Sequence, residues 1–373
     1  MQSRRAPWGL LPSLLLVSGC LFDDSAFFGS TGTGGVAHGG STSTTTTGGS
    51  STGGASGSGT GGTSTGGMTT GGTATGGTTT GGTGGTTTTT TTTTTVGCTS
   101  ADPVCAPCTN AGGTWAGGVC YFHCEAQNAC PGPIVCPGGV PCNVQCTGLG
   151  SCGDHIDASA ATNVVINCGG QKACSGTTKC GTGTCEVFCS QSEACGADVD
   201  GSSSTTFYAH CWGQLACAGD VTCGTGNCIV ECTGNQACGA NVDGSLAQDA
   251  TLTCGAQSAC AGDVKCGSGT CFVGCTVIDT CQKKVFAGAA KSATVTCAGQ
   301  SACKGAVTCG AGKCSADCVG PFACAGGVKC GSACACNTNC SGSNACAGGN
   351  LCPAGCLSGS NCTNVPAGCN SCN

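Results

Sequence analysis

The cysteines are the residues of this sequence best suited to chemistry, and they number 45 among 373 residues. A thiolate can bind a metal ion or act as a nucleophile, and two thiols can oxidise to a disulfide. Cys105 and Cys108 have the Cys-x2-Cys spacing of a zinc ligand pair. The spacings that recur along the chain are x3, x4 and x5. They favour disulfides, so we expect no metal and no other cofactor.

The cysteines of residues 98–373 stand in columns that repeat along the chain. The first column advances by 21 or 22 residues, and the second lies six residues after the first. Two further columns occur mostly in alternate units, which doubles the repeat to about 43 residues. The first column comprises Cys124, Cys146, Cys168, Cys189, Cys211, Cys232, Cys254, Cys275, Cys297, Cys318, Cys340 and Cys362. In the last two units we assign Cys330 with Cys334, and Cys352 with Cys356, to the third and fourth columns.

Cysteines of the third and fourth columns are present together or missing together, so we expect each such pair to be bonded. Alternate rungs of a stacked array would be about 9.6 Å apart, which is too far for a disulfide. The predicted bridges are Cys180–Cys185, Cys223–Cys228, Cys266–Cys271 and Cys309–Cys314.

The first two columns allow two kinds of pairing. A bridge can close within one rung, or it can join neighbouring rungs, because a separation of about 4.8 Å also permits a disulfide. The sequence leaves both possibilities open for Cys168 and Cys174, Cys211 and Cys217, Cys254 and Cys260, and Cys297 and Cys303.

The repeat predicts an all-β, disulfide-rich parallel β-solenoid with rungs of 21–22 residues. Short alternating runs, such as Thr251 to Cys254, recur at matching points of each unit, and glycine-rich turns separate them. Helix signals are absent. Only 4% of the residues are aromatic, so we expect disulfides to replace most of a hydrophobic core. We assign 98–123 to an N-terminal cap, 124–362 to the solenoid and 363–373 to a C-terminal cap.

The N-terminus has the features of an export signal. Arg4 and Arg5 precede a short apolar run that ends at Val17-Ser18-Gly19-Cys20. This tetrapeptide resembles the lipobox of bacterial lipoproteins, which implies removal of residues 1–19 and a lipid on Cys20. By the same resemblance, Leu at position 21, directly after the lipidated cysteine, implies delivery of the lipoprotein to the outer membrane. We assign 20–28 to the lipidated N-terminus, and the Gly- and Thr-rich segment 29–97 to a disordered linker.

The remaining reactive side chains give weak functional signals. His123, His155 and His210 are far apart and lack an accompanying nucleophile motif, so we expect no enzymatic activity. Trp115 and Trp212 can either stack on sugars or fill the core.

Two acidic segments have the composition of a calcium site, but they also suit tight turns. Asp198-Val-Asp200 and Asn241-Val-Asp243 are one double repeat apart, whereas Lys284 and Phe286 occupy the matching positions in the next one. Asp and Asn are preferred turn residues, so we favour turns.

The repeat Cys-x-Gly-x-x-Ala-Cys, seen from Cys297 to Cys303, resembles cysteine-rich tandem repeats of extracellular microbial proteins. The resemblance implies a secreted, disulfide-bonded array and supplies no catalytic residues.

We therefore expect a structural or adhesive cell-surface lipoprotein, on either face of the outer membrane. Its partners would be the membrane, through the lipid, and an extracellular protein or glycan. The alternative is a surface receptor for calcium or a glycan. A net charge of −6 without basic clusters argues against nucleic acid.

Overall fold

The structure is a computed structural model that describes residues 103–352. The predicted signal peptide, Cys20, the linker 29–97 and the cap 363–373 lie outside the described residues. Within 103–352, none of the helices has the length and apolar character needed to cross a bilayer.

Two sheets run along the stack of rungs, one built mostly of long strands and the other of short strands. The long-strand sheet has twelve strands: β1 Thr114–Ala116, β2 Val119–His123, β4 Cys142–Gln145, β6 Val164–Cys168, β8 Thr184–Cys189, β10 Thr206–Cys211, β12 Asn227–Cys232, β14 Asp249–Cys254, β16 Thr270–Cys275, β18 Ser292–Cys297, β20 Lys313–Cys318 and β22 Ala335–Cys340. The short-strand sheet has eleven: β3 Ile134–Val135, β5 Ile156–Asp157, β7 Thr178–Lys179, β9 Val199–Asp200, β11 Val221–Thr222, β13 Val242–Asp243, β15 Val264–Lys265, β17 Val285–Ala287, β19 Val307–Cys309, β21 Val328–Lys329 and β23 Asn350–Leu351.

The strands of successive rungs pair in parallel and in register. Cys211 at the end of β10 lies between Cys189 and Cys232 in the same ladder. The first hairpin differs, because β1 and β2 pair antiparallel before β2 joins β4 in the parallel ladder. The predicted disulfide-rich parallel β-solenoid with rungs of about 22 residues is confirmed.

The interior is a narrow column of aliphatic side chains and sulfur. Alternate residues of each long strand point inward, and in β12 these are Cys228, Val230 and Cys232, all at most 1% exposed. Most short strands contribute one inward residue, such as Val221 or Val242, whereas β17 and β19 contribute two each. The disulfides thus share the interior with continuous valine ladders and do not replace the apolar core completely.

The alternation of the third and fourth cysteine columns has a packing explanation. In the rungs that lack this bridge, small or apolar residues fill the same inward positions. Gly201 and Phe207 do so in one rung, and the Phe207 ring occupies the space that a β-carbon on Gly201 would need. Ala287 and Ala293 do so in another rung, where they align with Cys309 and Cys314.

The turn between the first two cysteine columns has an unusual backbone. The second-column cysteine and the residue two positions before it adopt positive φ angles, 51° at Cys217 and 56° at Leu215. The N–H of Leu215 donates to Asn235 in the next rung, whereas that of Cys217 donates to Ala194 in the preceding rung. The turn is therefore hydrogen-bonded on both sides, which compensates for its strained conformation.

Two sequence-based predictions need correction. A one-turn helix, α1 Ala106–Asn110, begins with Pro107 in its first turn, although no helix signal was recognised. Its Cys108 is bonded to Cys120 of β2. Further along the chain, the partner of Cys330 is Cys336 and not Cys334. The strand register explains the change, since Cys336 aligns with Cys314, a fourth-column cysteine, while Cys334 precedes β22.

We predict that the double substitution Ala287→Cys and Ala293→Cys creates a new bridge. The two positions are six residues apart, as are Cys136 and Cys142, and both are buried. Mass spectrometry should show the loss of two hydrogens, with a stability gain of up to roughly 2 kcal/mol in thermal unfolding. The single Ala293→Cys variant is the control and should keep one free thiol. Two alkylatable thiols in the double variant would contradict the proposed packing equivalence.

Candidate functional site

A cluster of large side chains lies on the outer face of the long-strand sheet, across β8, β10 and β12. We call it the aromatic patch, and it comprises Glu186, Phe188, Tyr208, His210 and Glu231 of these strands together with Trp212, which directly follows β10.

The strand register determines which of these side chains are neighbours. Phe188 and Glu231 lie on either side of His210 in adjacent strands. Glu186 lies beside Tyr208 in the same way. Tyr208, His210 and Trp212 are each two residues apart, and because side chains of an extended chain alternate, all three project from the same face.

The rings of the patch pack against one another. The centroid of the His210 ring lies 4.9 Å from that of Phe188, and the two planes differ by 11°. Trp212 is tilted relative to both rings, with its centroid 5.0 Å from His210 and 6.1 Å from Phe188. Aromatic contacts of this kind stabilise a fixed arrangement of the side chains.

Two carboxylates surround the His210 ring. Its Nδ1 lies 3.1 Å from Oε2 of Glu231, and its Nε2 lies 3.7 Å from Oε1 of Glu186. Burial of the ring lowers the pKa of His210, but the two carboxylates raise it by more, so the pKa lies above its ordinary value. The two carboxylates thus stabilise the imidazolium form relative to an isolated histidine, and a charged ring at this position offsets the repulsion between the two glutamates.

Trp212 is the most accessible ring of the patch. It is 44% exposed, and its Nε1 lies 3.4 Å from Oε2 of Glu231, the same oxygen that contacts His210. Glu231 therefore contacts both rings and fixes the indole relative to the imidazole.

The equivalent outward positions in other rungs carry mostly small or polar residues. The position of His210 is occupied by Thr253 in β14, Gly274 in β16 and Thr296 in β18. An exposed ring does occur at Phe272, but the neighbouring strands place threonines on both sides of it. The aromatic patch is thus a local departure from the repeat.

Comparisons with protein-family models, with curated proteins and with solved structures found no match to this chain.

The cysteines predicted as bridges are bonded in the structure, each within one rung. The third- and fourth-column pairs are Cys180–Cys185, Cys223–Cys228, Cys266–Cys271 and Cys309–Cys314. The first- and second-column pairs, whose partners the sequence left open, are Cys168–Cys174, Cys211–Cys217, Cys254–Cys260 and Cys297–Cys303.

Sulfur atoms of neighbouring rungs also lie close together. Those of Cys211, Cys232 and Cys238 are within 4.8 Å of one another. Cys211 is bonded to Cys217, and Cys232 to Cys238, so the group is two stacked disulfides. Zinc binds thiolates, and a sulfur in a disulfide has no such charge.

The acidic segments form turns and a side-chain ladder between rungs. Oδ1 of Asp198 accepts the N–H of Asp220 in the next rung, and Oδ1 of Asp220 accepts that of Asn241. Asp200 and Asp243 each accept an N–H two residues later, as expected of turn residues. Asp243 also forms an ion pair of 2.7 Å with Lys265.

The structure does not bring the three predicted histidines together. His123 lies on β2 beside Glu125, His155 precedes β5 beside Asp154, and His210 belongs to the aromatic patch. Trp115 packs against the core, whereas Trp212 is exposed.

The sequence alone, without an alignment of its repeats, gives no reason to group His210 and Trp212 with each other or with Phe188, Tyr208 and the two glutamates. Alignment of the repeats on their first-column cysteines could have indicated the patch. In that alignment, four aromatic residues occupy outward positions: Phe188, Tyr208, His210 and Trp212.

We predict that the Glu231→Gln substitution lowers the pKa of His210, as measured by NMR titration of the imidazole. The folded pKa lies above the unfolded value of about 6.5. The stabilisation by the charged ring is therefore present below the unfolded pKa and is lost as the pH rises through the folded pKa. The free energy of unfolding of wild type should therefore exceed that of the variant, and this difference should be larger at about pH 6 than at about pH 9.

The control is Glu125→Gln, which changes a carboxylate beside His123. It should leave the His210 titration unchanged. An unaltered His210 pKa in Glu231→Gln would contradict the electrostatic description of the patch.

Proposed function

We propose that this chain is a non-enzymatic cell-surface lipoprotein, a structural or adhesive scaffold that displays a disulfide-bonded repeat domain. One observation carries the proposal: from Cys124 to Cys346, the turn after each first-column cysteine is closed by a disulfide. Disulfides in such numbers form and persist in oxidising compartments, which supports export from the cytosol.

The proposed anchor is a lipid on Cys20, after removal of residues 1–19. The lipobox resemblance of Val17 to Cys20 supports this assignment, and Leu21 supports delivery to the outer membrane. Segment 29–97 would act as a spacer between the anchor and the solenoid, on either face of that membrane.

The distribution of polar groups supports a scaffold rather than an enzyme. The three histidines of 103–352 lie on or beside different strands. His123 and His155 each pair with a carboxylate on their own segment, and His123 also stacks on Tyr121. A regular stack instead offers long faces of repeated side chains, which suit contact with an extended partner.

A second candidate function is that of a surface receptor for a glycan. The aromatic patch favours it, because the patch groups several rings on a face whose other outward positions carry mostly small or polar residues. Calcium is a weaker candidate ligand, since the carboxylates of Asp198, Asp200, Asp220 and Asp243 already accept hydrogen bonds from turns or neighbouring rungs.

We predict that Cys20→Ser releases the protein from the membrane. The full chain would be expressed in a Gram-negative bacterium, labelled with radioactive palmitate and separated into membrane and soluble fractions. Wild type should be labelled, membrane-bound and able to increase cell aggregation. The variant lacks the thiol that accepts the lipid, so it should lose the label and the aggregation.

Ser25→Ala is the matched control, because it changes a residue of the same segment and keeps Cys20. It should behave as wild type. An unlabelled wild-type chain in the soluble fraction would contradict the anchor, and labelled cells without increased aggregation would contradict an adhesive role.

A further inference from the structure

The aromatic patch is built as a rigid platform. Three neighbouring strands fix the spacing of its side chains, and ring contacts with Phe188 and His210 restrict the Trp212 indole. Glu231 contacts that indole as well. A ligand that binds such a surface need not order it, which lowers the entropic cost of association.

The shape of the patch favours a chain-like ligand. Small molecules are usually bound in concave pockets, whereas the patch lies on the outer face of a sheet. A pocket of about 550 Å³ lies elsewhere and is lined by residues that include His155 and Lys179. The patch instead extends from Tyr208 on β10 to Trp212 directly after that strand, roughly 13 Å, which exceeds the length of one sugar ring.

The chemistry of the patch matches that of a saccharide. The face of an indole is electron-rich and attracts C–H groups. A pyranose with equatorial substituents presents those C–H groups on two flat faces. The carboxylates of Glu186 and Glu231 are 36% and 40% exposed and can accept hydrogen bonds from sugar hydroxyls.

Charge narrows the ligand class. Two glutamates face His210, the remaining patch residues carry no positive charge, and neither Lys nor Arg belongs to the patch. The patch therefore carries two negative charges and at most one positive charge, that of the His210 imidazolium. It would repel an acidic glycan, whereas an uncharged chain would not be repelled.

We propose that the aromatic patch binds an uncharged polysaccharide of equatorially substituted sugars, with Trp212 stacked on a sugar ring and Glu186 and Glu231 accepting hydroxyl hydrogen bonds. This deepens the receptor alternative of the proposed function by naming its ligand class and site.

The test is calorimetric titration of the purified full chain with cellohexaose, with chitohexaose and with a hexamer of galacturonic acid. Binding is expected for at least one of the two uncharged oligomers and not for the acidic one. Trp212→Ala should weaken that binding by one to two orders of magnitude, as is typical for a central tryptophan. Trp212→Phe keeps an aromatic face and should retain part of the affinity.

The control is Phe272→Ala, which removes an exposed ring from the same sheet but outside the patch. It should bind like wild type, and all variants should keep the wild-type disulfide count and unfolding temperature. Failure of both uncharged oligomers to bind, preference for the acidic one, or equal binding by Trp212→Ala would overturn the proposal. Because the assay uses purified protein, its outcome is independent of the Cys20 anchor.

Discussion

In each rung of the solenoid, the chain has to place its strands in register with those of the preceding rung. The rest of the structure depends on that constraint. Parallel pairing then places equivalent residues on top of one another, cysteine above cysteine in the long-strand sheet and valine above valine in the short-strand sheet. Each disulfide between the first and second columns closes a short loop within one rung and fixes a turn that would otherwise be strained. The same stacking produces the interior ladders and, on the outer face, brings Phe188, His210 and Glu231 into contact.

Sulfur and aliphatic side chains have complementary roles in this interior. A rung that carries a bridge between the third and fourth columns uses two cysteines at one corner, as at Cys223 and Cys228. The next rung places the smaller residues Gly244 and Ala250 at the same positions. Each bridge contributes roughly 2 kcal/mol in the loop-entropy description. The valine ladders add apolar burial, so stability arises from both sources.

The cysteine spacing was sufficient to predict the fold, because a constant period leaves few architectures and the distance limit of a disulfide restricts the pairing. The spacing predicted the wrong partner for Cys330, because the cysteines around Cys334 are irregularly spaced and conceal the strand register. It gave no prediction of α1, because five residues are too few for a periodic signal. It also missed the aromatic patch. Phe188 and Trp212 are 24 positions apart, and only the stacking of neighbouring rungs brings them together.

The most direct test of the central claim is to count thiols in the natively exported protein before and after reduction, and to record its circular dichroism in both states. Covalent closure of the rungs predicts that non-reduced material alkylates at none of the cysteines of 103–352, that its peptides map to bridges within rungs, and that reduction abolishes the β signal. Free thiols along the repeats, or a β signal that survives full reduction, would contradict the claim.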